Sequence, residues 1–293
     1  DRDGLGMDEV DLVLLLEETG RVGLAEPVVT NSVATALLAE HPDSVLAEAW
    51  LPQVAAGEAI LAAAHPESPF VADAHVADLL LLPRNGELHA VPREGLQLEA
   101  QPSNDGSQRL FRVEATTSPE TCIAEGSLAQ SLLASALDRG ALCCAAQALG
   151  VADRLIELAV DYAKQREQFG VPIGSFQAVK HMLADVKVGL EYARSHVYRA
   201  AHSVARAGEC RAVDVSMAKL AACEAANRAS RVSLQVHGAI GYTYEQDVHI
   251  WMKRAWSLDA AFGDPVFHNQ RLASAVIDRS IPAESFGYIS AEA

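Results

Sequence analysis

The sequence predicts a mainly α-helical protein with a helical N-terminal domain (1–65), a reduced β domain (66–118) and a C-terminal up-and-down four-helix bundle (119–293). Three observations predict this fold class. Apolar residues recur at helical spacing in the first and last parts, and short alternating runs bounded by Gly and Pro fill the middle part. In addition, half of the 293 residues are hydrophobic, which is enough for a substantial core.

The first part of the chain predicts several short helices. Residues 8–18 begin with acidic side chains and carry a strong apolar face, as the N-terminal turn of a helix prefers. After them, Pro27, the turn at 41–43, Pro52 and Gly57 punctuate the chain. Residues up to about 65 are therefore expected to be helical.

The middle part predicts a small β unit. The apolar run 76–82 ends at Pro83, and Asn85-Gly86 after it is a strong hairpin signal. Further strands are predicted at 87–91, 96–100 and 109–114. Four strands of this length make a meander that is too short for a full barrel or sandwich.

The last part predicts long amphipathic helices with short connections. They are expected at 124–138, 139–165, 175–207, 212–238, 245–261 and 265–279. Glycine-containing breaks at 170–174 and 238–241 separate helices of the bundle.

Composition excludes several classes of protein. A net charge of −16 argues against nucleic acid or an anionic membrane as the main partner, because both need a basic surface. No apolar run reaches the ~18 residues of a membrane span. The five cysteines are odd in number and match no zinc or C-x-x-C spacing, so a reducing cytoplasm and no metal site are expected. The His residues form no H-E-x-x-H pair, and G-x-S-x-G, P-loop and G-x-G-x-x-G motifs are missing from the sequence.

Arg166, Gln168 and Phe169 place a cation, an amide and an aromatic ring beside the Gly/Pro break at 170–174. This combination suits a dinucleotide, with Arg for phosphate, Phe for a flat ring and Gln for a ring edge. An ordinary helix end gives the same pattern, because Arg favours the negative end of a helix and Gly/Pro ends it.

Two later segments also have both a functional and an ordinary interpretation. Gln235 lies one turn before Gly238, where a glycine lets backbone N–H groups approach a ligand, yet Gly is also the usual residue after a helix end. Asp264 precedes Pro265, and this pair is typical of a helix N-cap followed by Pro at the first helical position.

The residues 162–186 (YAKQREQFGVPIGSFQAVKHMLADV) and 235–256 (QVHGAIGYTYEQDVHIWMKRAW) together resemble the C-terminal domain of acyl-CoA dehydrogenases. The likeness covers about 119–280, and the first helices also look like that family's N-terminal domain. The resemblance implies an enzyme with an N-terminal helical domain, a middle β domain and a C-terminal four-helix bundle. It implies FAD as cofactor and an oxidoreductase that removes two hydrogens across the Cα–Cβ bond of an acyl-CoA thioester.

The resemblance also implies roles for matched positions. Arg166, Gln168 and Phe169 would contact the adenosine-diphosphate part of FAD, and Gln177 would face the cofactor. Gln235 and Gly238 would face the adenine and the pyrophosphate. In the family these residues reach a cofactor held mainly by a neighbouring subunit, so an oligomer is expected, with an electron-transfer flavoprotein as a possible acceptor.

The sequence departs from the family pattern in two places. The segment 66–118 lacks the T-E-x-x-G-S-D-like and W-[IT]-[ST]-like motifs that hold the flavin ring. At the position of the catalytic base, counting forward from Arg254 gives Gly263 and counting back from Arg271 gives Asp264, which is the candidate base. The family's alternative base position falls near Gly140, beside Asp138 and Arg139.

With these two departures the sequence resembles the short subunit of the actinobacterial α2β2 acyl-CoA dehydrogenases. That subunit pairs with a full-length one, and the pair acts on steroid-derived CoA thioesters. Two alternatives stay open at this stage: a catalytically silent subunit that stabilises a full-length dehydrogenase, and a self-sufficient homo-oligomeric enzyme of the same superfamily.

Overall fold

The computed structural model of this chain describes residues 5–41 and 45–278. Its contacts form two compact units: one contains Leu24–Gly140, and the other contains helix α1 (Glu9–Val22) and the chain from Ala141 onward. The division falls inside one long helix, α4 (Gly126–Gln165). The predicted domain boundaries at residues 65 and 118 stay predictions.

The first unit contains helices α2 (Val28–Glu40) and α3 (Val45–Ala55) and two small sheets. The strands are β1 (Leu61–Ala63), β2 (Val71–Ala72), β3 (Leu79–Arg84), β4 (Glu87–Pro92), β5 (Leu96–Gln101), β6 (Leu110–Ala115) and β7 (Cys122–Ala124). One sheet has the order β1-β3-β4-β7 and the other has the order β2-β6-β5. Leu80 of the first sheet and Val113 of the second belong to one hydrophobic cluster, so the two sheets share a core.

The Asn85-Gly86 hairpin is confirmed. Both residues have positive φ, 51° and 84°, and Arg84 pairs with Glu87 across the turn in an antiparallel ladder. Two consecutive positive φ values are the signature of a type I′ turn, whose twist matches that of the flanking strands.

Two predictions about the β region are wrong. Residues 61–63 form strand β1 rather than helix, because burial of Leu61, Ala62 and Ala63 in parallel pairing with β3 overrides the helical preference of alanine. The region also has seven strands in two sheets instead of a four-stranded meander. The additional strands are only two or three residues long, too short to give a periodic signal.

The second unit is a helical bundle, as predicted. Beside α1 and the greater part of α4 it contains α5 (Gln177–Ala205), α6 (Arg211–His237), α7 (Val248–Ala260) and α8 (Pro265–Ile277). The predicted break between 124–138 and 139–165 is wrong, since Gly140 is buried inside the continuous helix α4. Packing on that buried face outweighs the roughly 1 kcal/mol that glycine costs a helix. None of the described helices is long and apolar enough to cross a membrane.

Helices α1 and α4 cross at two glycines. A Cβ atom added at Gly20 would overlap the carbonyl oxygen of Gln147, and one at Gly150 would overlap the carbonyl oxygen of Glu17. The two backbones therefore touch directly, which only glycine at both positions allows.

We expect Gly150→Ala to lower the free energy of unfolding by about 1–3 kcal/mol, because the added methyl forces the two backbones apart. Gly189 is the matched control: it lies inside helix α5, and an added Cβ meets nothing within 4 Å. Gly189→Ala should stabilise the protein by roughly 0.4–1 kcal/mol. Urea unfolding of both variants measures the two effects, and the same sign for both would contradict the contact at Gly150.

Candidate functional site

A short hairpin follows helix α4 at the first predicted motif. Strands β8 (Glu167–Gln168) and β9 (Val171–Pro172) pair antiparallel around Phe169 and Gly170, whose φ angles are 55° and 79°. A bulky aromatic residue with positive φ is a conformational outlier, and such outliers concentrate at functional sites. The Phe169 side chain is 93% exposed, so its turn presents a flat apolar ring to the surroundings.

The hairpin is fixed to the end of helix α4 by backbone contacts. The Ile173 N–H donates to the Arg166 carbonyl oxygen at 2.8 Å, and the Arg166 N–H donates to the Tyr162 carbonyl oxygen at 2.8 Å. A Cβ at Gly174 would lie 3.0 Å from the Ala163 carbonyl oxygen, so this chain segment packs closely on the helix. The motif thus stands on a rigid support although its tip is exposed.

The second motif, at the end of helix α6, lies beside the first. The rings of Tyr162 and His237 stack with centroids 4.4 Å apart, and Ala163 and Val236 share one small hydrophobic cluster. His237 also contacts the Ser233 carbonyl oxygen through Nδ1 at 2.7 Å. Residues more than 60 positions apart in the sequence are thereby brought to one end of the bundle.

The predicted cofactor contacts all reach the surface. Arg166, Gln168, Phe169, Gln177, Gln235 and Gly238 are each exposed, with Gln177 opening helix α5 and Gly238 capping helix α6 at a φ of 64°. In the described chain the Arg166 guanidinium makes no hydrogen bond or ion pair. A Cβ at Gly238 would meet nothing within 4 Å. A cation, an aromatic ring and open backbone at one end of the bundle can hold an anionic, flat ligand such as a dinucleotide.

Asp264 lies in a different loop, between helices α7 and α8. Its exposed carboxylate accepts the Phe267 N–H at 2.8 Å and caps helix α8, with Pro265 at the first helical position. A Cβ at Gly263, whose φ is 93°, would lie 2.6 Å from the Phe267 ring. A side chain at position 263 would therefore clash with the Phe267 ring. Of positions 263 and 264, the two candidates for the catalytic base, only 264 carries a carboxylate, and its side chain fits without a shift of the backbone.

The alternative base position in helix α4 carries no carboxylate. Gly140 is buried, and Arg139 forms an ion pair with Glu40 at 2.7 Å. The neighbouring Asp138 is also buried.

Two buried polar side chains support the Asp264 loop, and sequence reasoning missed both. Lys219 of helix α6 donates through Nζ to the carbonyl oxygens of Leu258, Asp259 and Ala261, where helix α7 ends. A signal existed, because Lys219 is a cation on the same helical face as the buried Ala222 and Ala226.

His268 is the second support. Its Nε2 lies 3.0 Å from the Phe262 carbonyl oxygen and therefore donates, while its Nδ1 lies 3.1 Å from the Ser216 hydroxyl. Phe262 has a φ of 53°, so the loop contains two consecutive positive φ values, at 262 and 263, that this bond helps to hold. Burial lowers the pKa of His268 to about 4, and the nearby cations of Lys219 and Arg271 add to that effect against the opposing Phe262 carbonyl.

Stability is therefore expected to fall on mild acidification. A His in the unfolded chain titrates near pH 6.5. Between about pH 6.5 and about pH 4, the His268 side chain therefore binds a proton in the unfolded chain but not in the folded chain. The contribution of His268 to the free energy of unfolding should drop by about 1 kcal/mol from pH 7 to about pH 5.5. Urea midpoints of the parent and His268→Gln measured across this range should converge as pH falls, and parallel curves would count against the assignment.

Comparison with known proteins identifies the relatives of this chain. The acyl-CoA dehydrogenase C-terminal domain matches residues 131–276. The acyl-CoA dehydrogenase IpdE2 of Mycobacterium tuberculosis is 33% identical over 254 residues, which cover 86% of this chain and 73% of the relative. Among solved structures, the Tcur3481-Tcur3483 steroid ACAD G363A variant superposes with a TM-score of 0.85 at 25% identity, covering 95% of this chain and 84% of the other. The ChsE4-ChsE5 complex from Mycobacterium tuberculosis gives a TM-score of 0.82 at 25% identity, with 96% and 84% covered.

Proposed function

This chain belongs to the acyl-CoA dehydrogenase family, and we propose that it is the short subunit of a heteromeric, FAD-dependent member. The proposed reaction is the α,β-dehydrogenation of an acyl-CoA thioester, with steroid-derived thioesters as the substrate class. The observation that carries the proposal is the exposed end of the bundle, where the Arg166 guanidinium has no partner among the described residues and Phe169 is 93% exposed. Their exposure supports the proposal that they form one side of a site and that a second subunit supplies the other side.

The residues present fit one half of FAD. Arg166 can bind phosphate, Phe169 and Gln168 can contact the flat adenine and its edge, and the open backbone at Gly238 leaves room for the pyrophosphate. When bound, FAD supplies the hydride acceptor of the reaction. The segment 66–118 lacks the sequence motifs that hold the flavin ring in the family, and this absence supports the proposal that a partner holds that ring.

The proposed partner is a full-length acyl-CoA dehydrogenase subunit. Two of the similar structures bear on this proposal: one is described as a steroid ACAD, and the other as the ChsE4-ChsE5 complex. An electron-transfer flavoprotein is the proposed acceptor. The five cysteines form no disulfide in the described structure, which suits the proposed location in a reducing cytoplasm.

The direct test is the flavin content of the chain expressed alone and with candidate full-length partners. The half-site proposal expects a colourless chain alone and a yellow mixed assembly with about one FAD per pair of chains. Absorbance in the flavin band and the mass of the assembly give both quantities. One FAD per chain without a partner would instead support the self-sufficient enzyme.

Arg166→Ala should weaken FAD binding by the mixed assembly roughly 10–100-fold, because a hydrogen bond to a charged group contributes about 1.5–3 kcal/mol. Arg206 is the matched control, since it is an exposed arginine at the end of another bundle helix, α5. Arg206→Ala should leave the affinity unchanged. Equal FAD affinities for the two variants, measured by flavin fluorescence on dilution, would remove Arg166 from the site.

A catalytically silent structural subunit is the second candidate function. It is favoured by one observation: the carboxylate of Asp264 already has an ordinary role as the N-cap of helix α8. The two candidates differ in what happens to turnover when that carboxylate is neutralised.

A further inference from the structure

A β-bulge in the first unit brings three side chains of types that can bind metals onto one face of a sheet. Strands β4 and β7 pair Leu88 with Ala124, but the next pair joins His89 to Cys122 and skips Ile123. Regular antiparallel pairing would have placed Cys122 opposite Ala90, with its side chain on the other face. Glu87 is two positions before His89, so it shares the face of His89 and Cys122.

The bulge is held in place by its own contact. Ile123 is the extra residue that has no partner in strand β4. Its carbonyl oxygen lies 2.7 Å from His41 Nε2 and so has a hydrogen-bond partner outside the sheet. Bulges of this kind re-aim a side chain and are frequent next to functional sites. The bulge and its contact with His41 thus fix the position of Cys122 in the sheet.

The donor atoms of Glu87, His89 and Cys122 lie close enough to share one ion. They are all within 4.8 Å of one another, and His89 Nε2 is 3.1 Å from Glu87 Oε2. Zinc bonds of about 2.0–2.1 Å to nitrogen and oxygen in a tetrahedral site set two such ligand atoms roughly 3.3 Å apart. The observed spacing is therefore close to that of a coordinated pair.

Thr121 determines which nitrogen of His89 faces the cluster. The Thr121 hydroxyl donates to the Ser118 carbonyl oxygen at 2.9 Å, so its only proton is used. Toward His89 Nδ1, 3.0 Å away, this hydroxyl can therefore only accept, and Nδ1 carries the hydrogen. In a neutral ring the lone pair of Nε2 then points at the Glu87 carboxylate, an arrangement that a cation between them would stabilise.

We propose that Glu87, His89 and Cys122 bind a divalent first-row metal ion of the zinc class. The set offers one imidazole nitrogen, one cysteine sulfur and one carboxylate oxygen, and Thr121 orients the imidazole as outer-shell partners of metal-bound histidines do. The fourth position is open to water, because the Glu87 side chain is 43% exposed whereas that of His89 is 3% exposed. The ion ties β4 to β7 just before helix α4 begins.

The mixed donor set explains why the sequence predicts no metal site. The three ligands come from Glu-x-His and from a cysteine 33 positions after His89, a spacing that no known zinc motif has. Only the pairing of β4 with β7 brings them together.

The test is titration of the untagged protein, in the assembly in which it is stable, with Co²⁺ and with Zn²⁺. We expect one equivalent of Co²⁺ to give a sulfur-to-cobalt charge-transfer band and tetrahedral d–d bands, and Zn²⁺ to displace it. Cys122→Ser should abolish the charge-transfer band, while Cys210→Ser, which removes another half-exposed cysteine, should leave it intact. No saturable binding, or an unchanged band in Cys122→Ser, overturns the proposal.

Two milder variants keep the test independent of folding defects at the cysteine. Glu87→Gln should weaken Co²⁺ binding at least tenfold, whereas Glu94→Gln, at an exposed glutamate of the same unit, should not. Thr121→Val should weaken it by roughly 10–100-fold, the effect of losing an outer-shell partner. Equal affinities for Glu87→Gln and Glu94→Gln would mean that Glu87 and His89 form only an ion pair.

Discussion

Replacing Asp264, the residue proposed as the catalytic base, by Asn is expected to lower the turnover of the proposed mixed assembly by about 10²–10⁴-fold, the usual contribution of a general base. The substitution removes the basic carboxylate and keeps the cap, because Asn is as good an N-cap as Asp and can still accept the Phe267 N–H. Assembly mass and FAD content should therefore stay at the parent level. The expected loss of turnover would therefore come from the missing base and not from a change in folding or assembly.

The matched control for this variant is Asp8→Asn. Asp8 caps helix α1 by the same kind of bond, accepting the Val10 N–H at 2.9 Å, so its replacement changes one half-exposed cap carboxylate at another helix. Turnover should not respond to it. Asp264→Ala gives a further comparison, because it removes both functions and should add a stability loss of about 1 kcal/mol.

Exchange of the α-proton of bound acyl-CoA in heavy water gives a second readout for Asp264. It reports removal of that proton without need of an electron acceptor, so it separates the base from later electron transfer. If Asp264→Asn exchanges and turns over like the parent, the base lies in the partner subunit, and the silent structural role is the better description of this chain.

Lys219→Met is expected to lower the free energy of unfolding by about 1–3 kcal/mol, the cost of leaving buried hydrogen-bond acceptors without a donor. Lys219 is only 2% exposed and is among the largest fully buried side chains of the described residues. Methionine has a similar length and fills the space, so the loss measures the missing donors. Without them the buried end of helix α7 keeps carbonyl oxygens that no group satisfies.

Urea unfolding followed by far-ultraviolet circular dichroism measures this loss. Lys180→Met is the matched control, because Lys180 lies exposed near the start of helix α5 and its loss should change stability by less than about 0.5 kcal/mol. A second expectation concerns the loop: Lys219 holds the Ala261 carbonyl at 2.9 Å, so fast hydrogen exchange in residues 261–264 should accompany the destabilisation. A Lys219→Met protein as stable as the control would show that water replaces the ammonium at little cost.

The sequence by itself determined the helical class, the hairpin at Asn85-Gly86 and the family. Each rests on a local signal: helical periodicity over long segments, a dipeptide suited to positive φ, and two contiguous motifs around Arg166 and Gln235. Signals of this kind can be read from the sequence because the interacting residues are neighbours along the chain.

Only the tertiary structure decided the features that depend on distant residues. Strand β1 exists because Leu61–Ala63 is buried beside β3, and helix α4 continues through Gly140 because that face is packed. Lys219 meets a helix end about 40 residues later, and the bulge opposite His89 sets the face of Cys122. Burial and register are properties of the folded chain, so local propensity could not predict them.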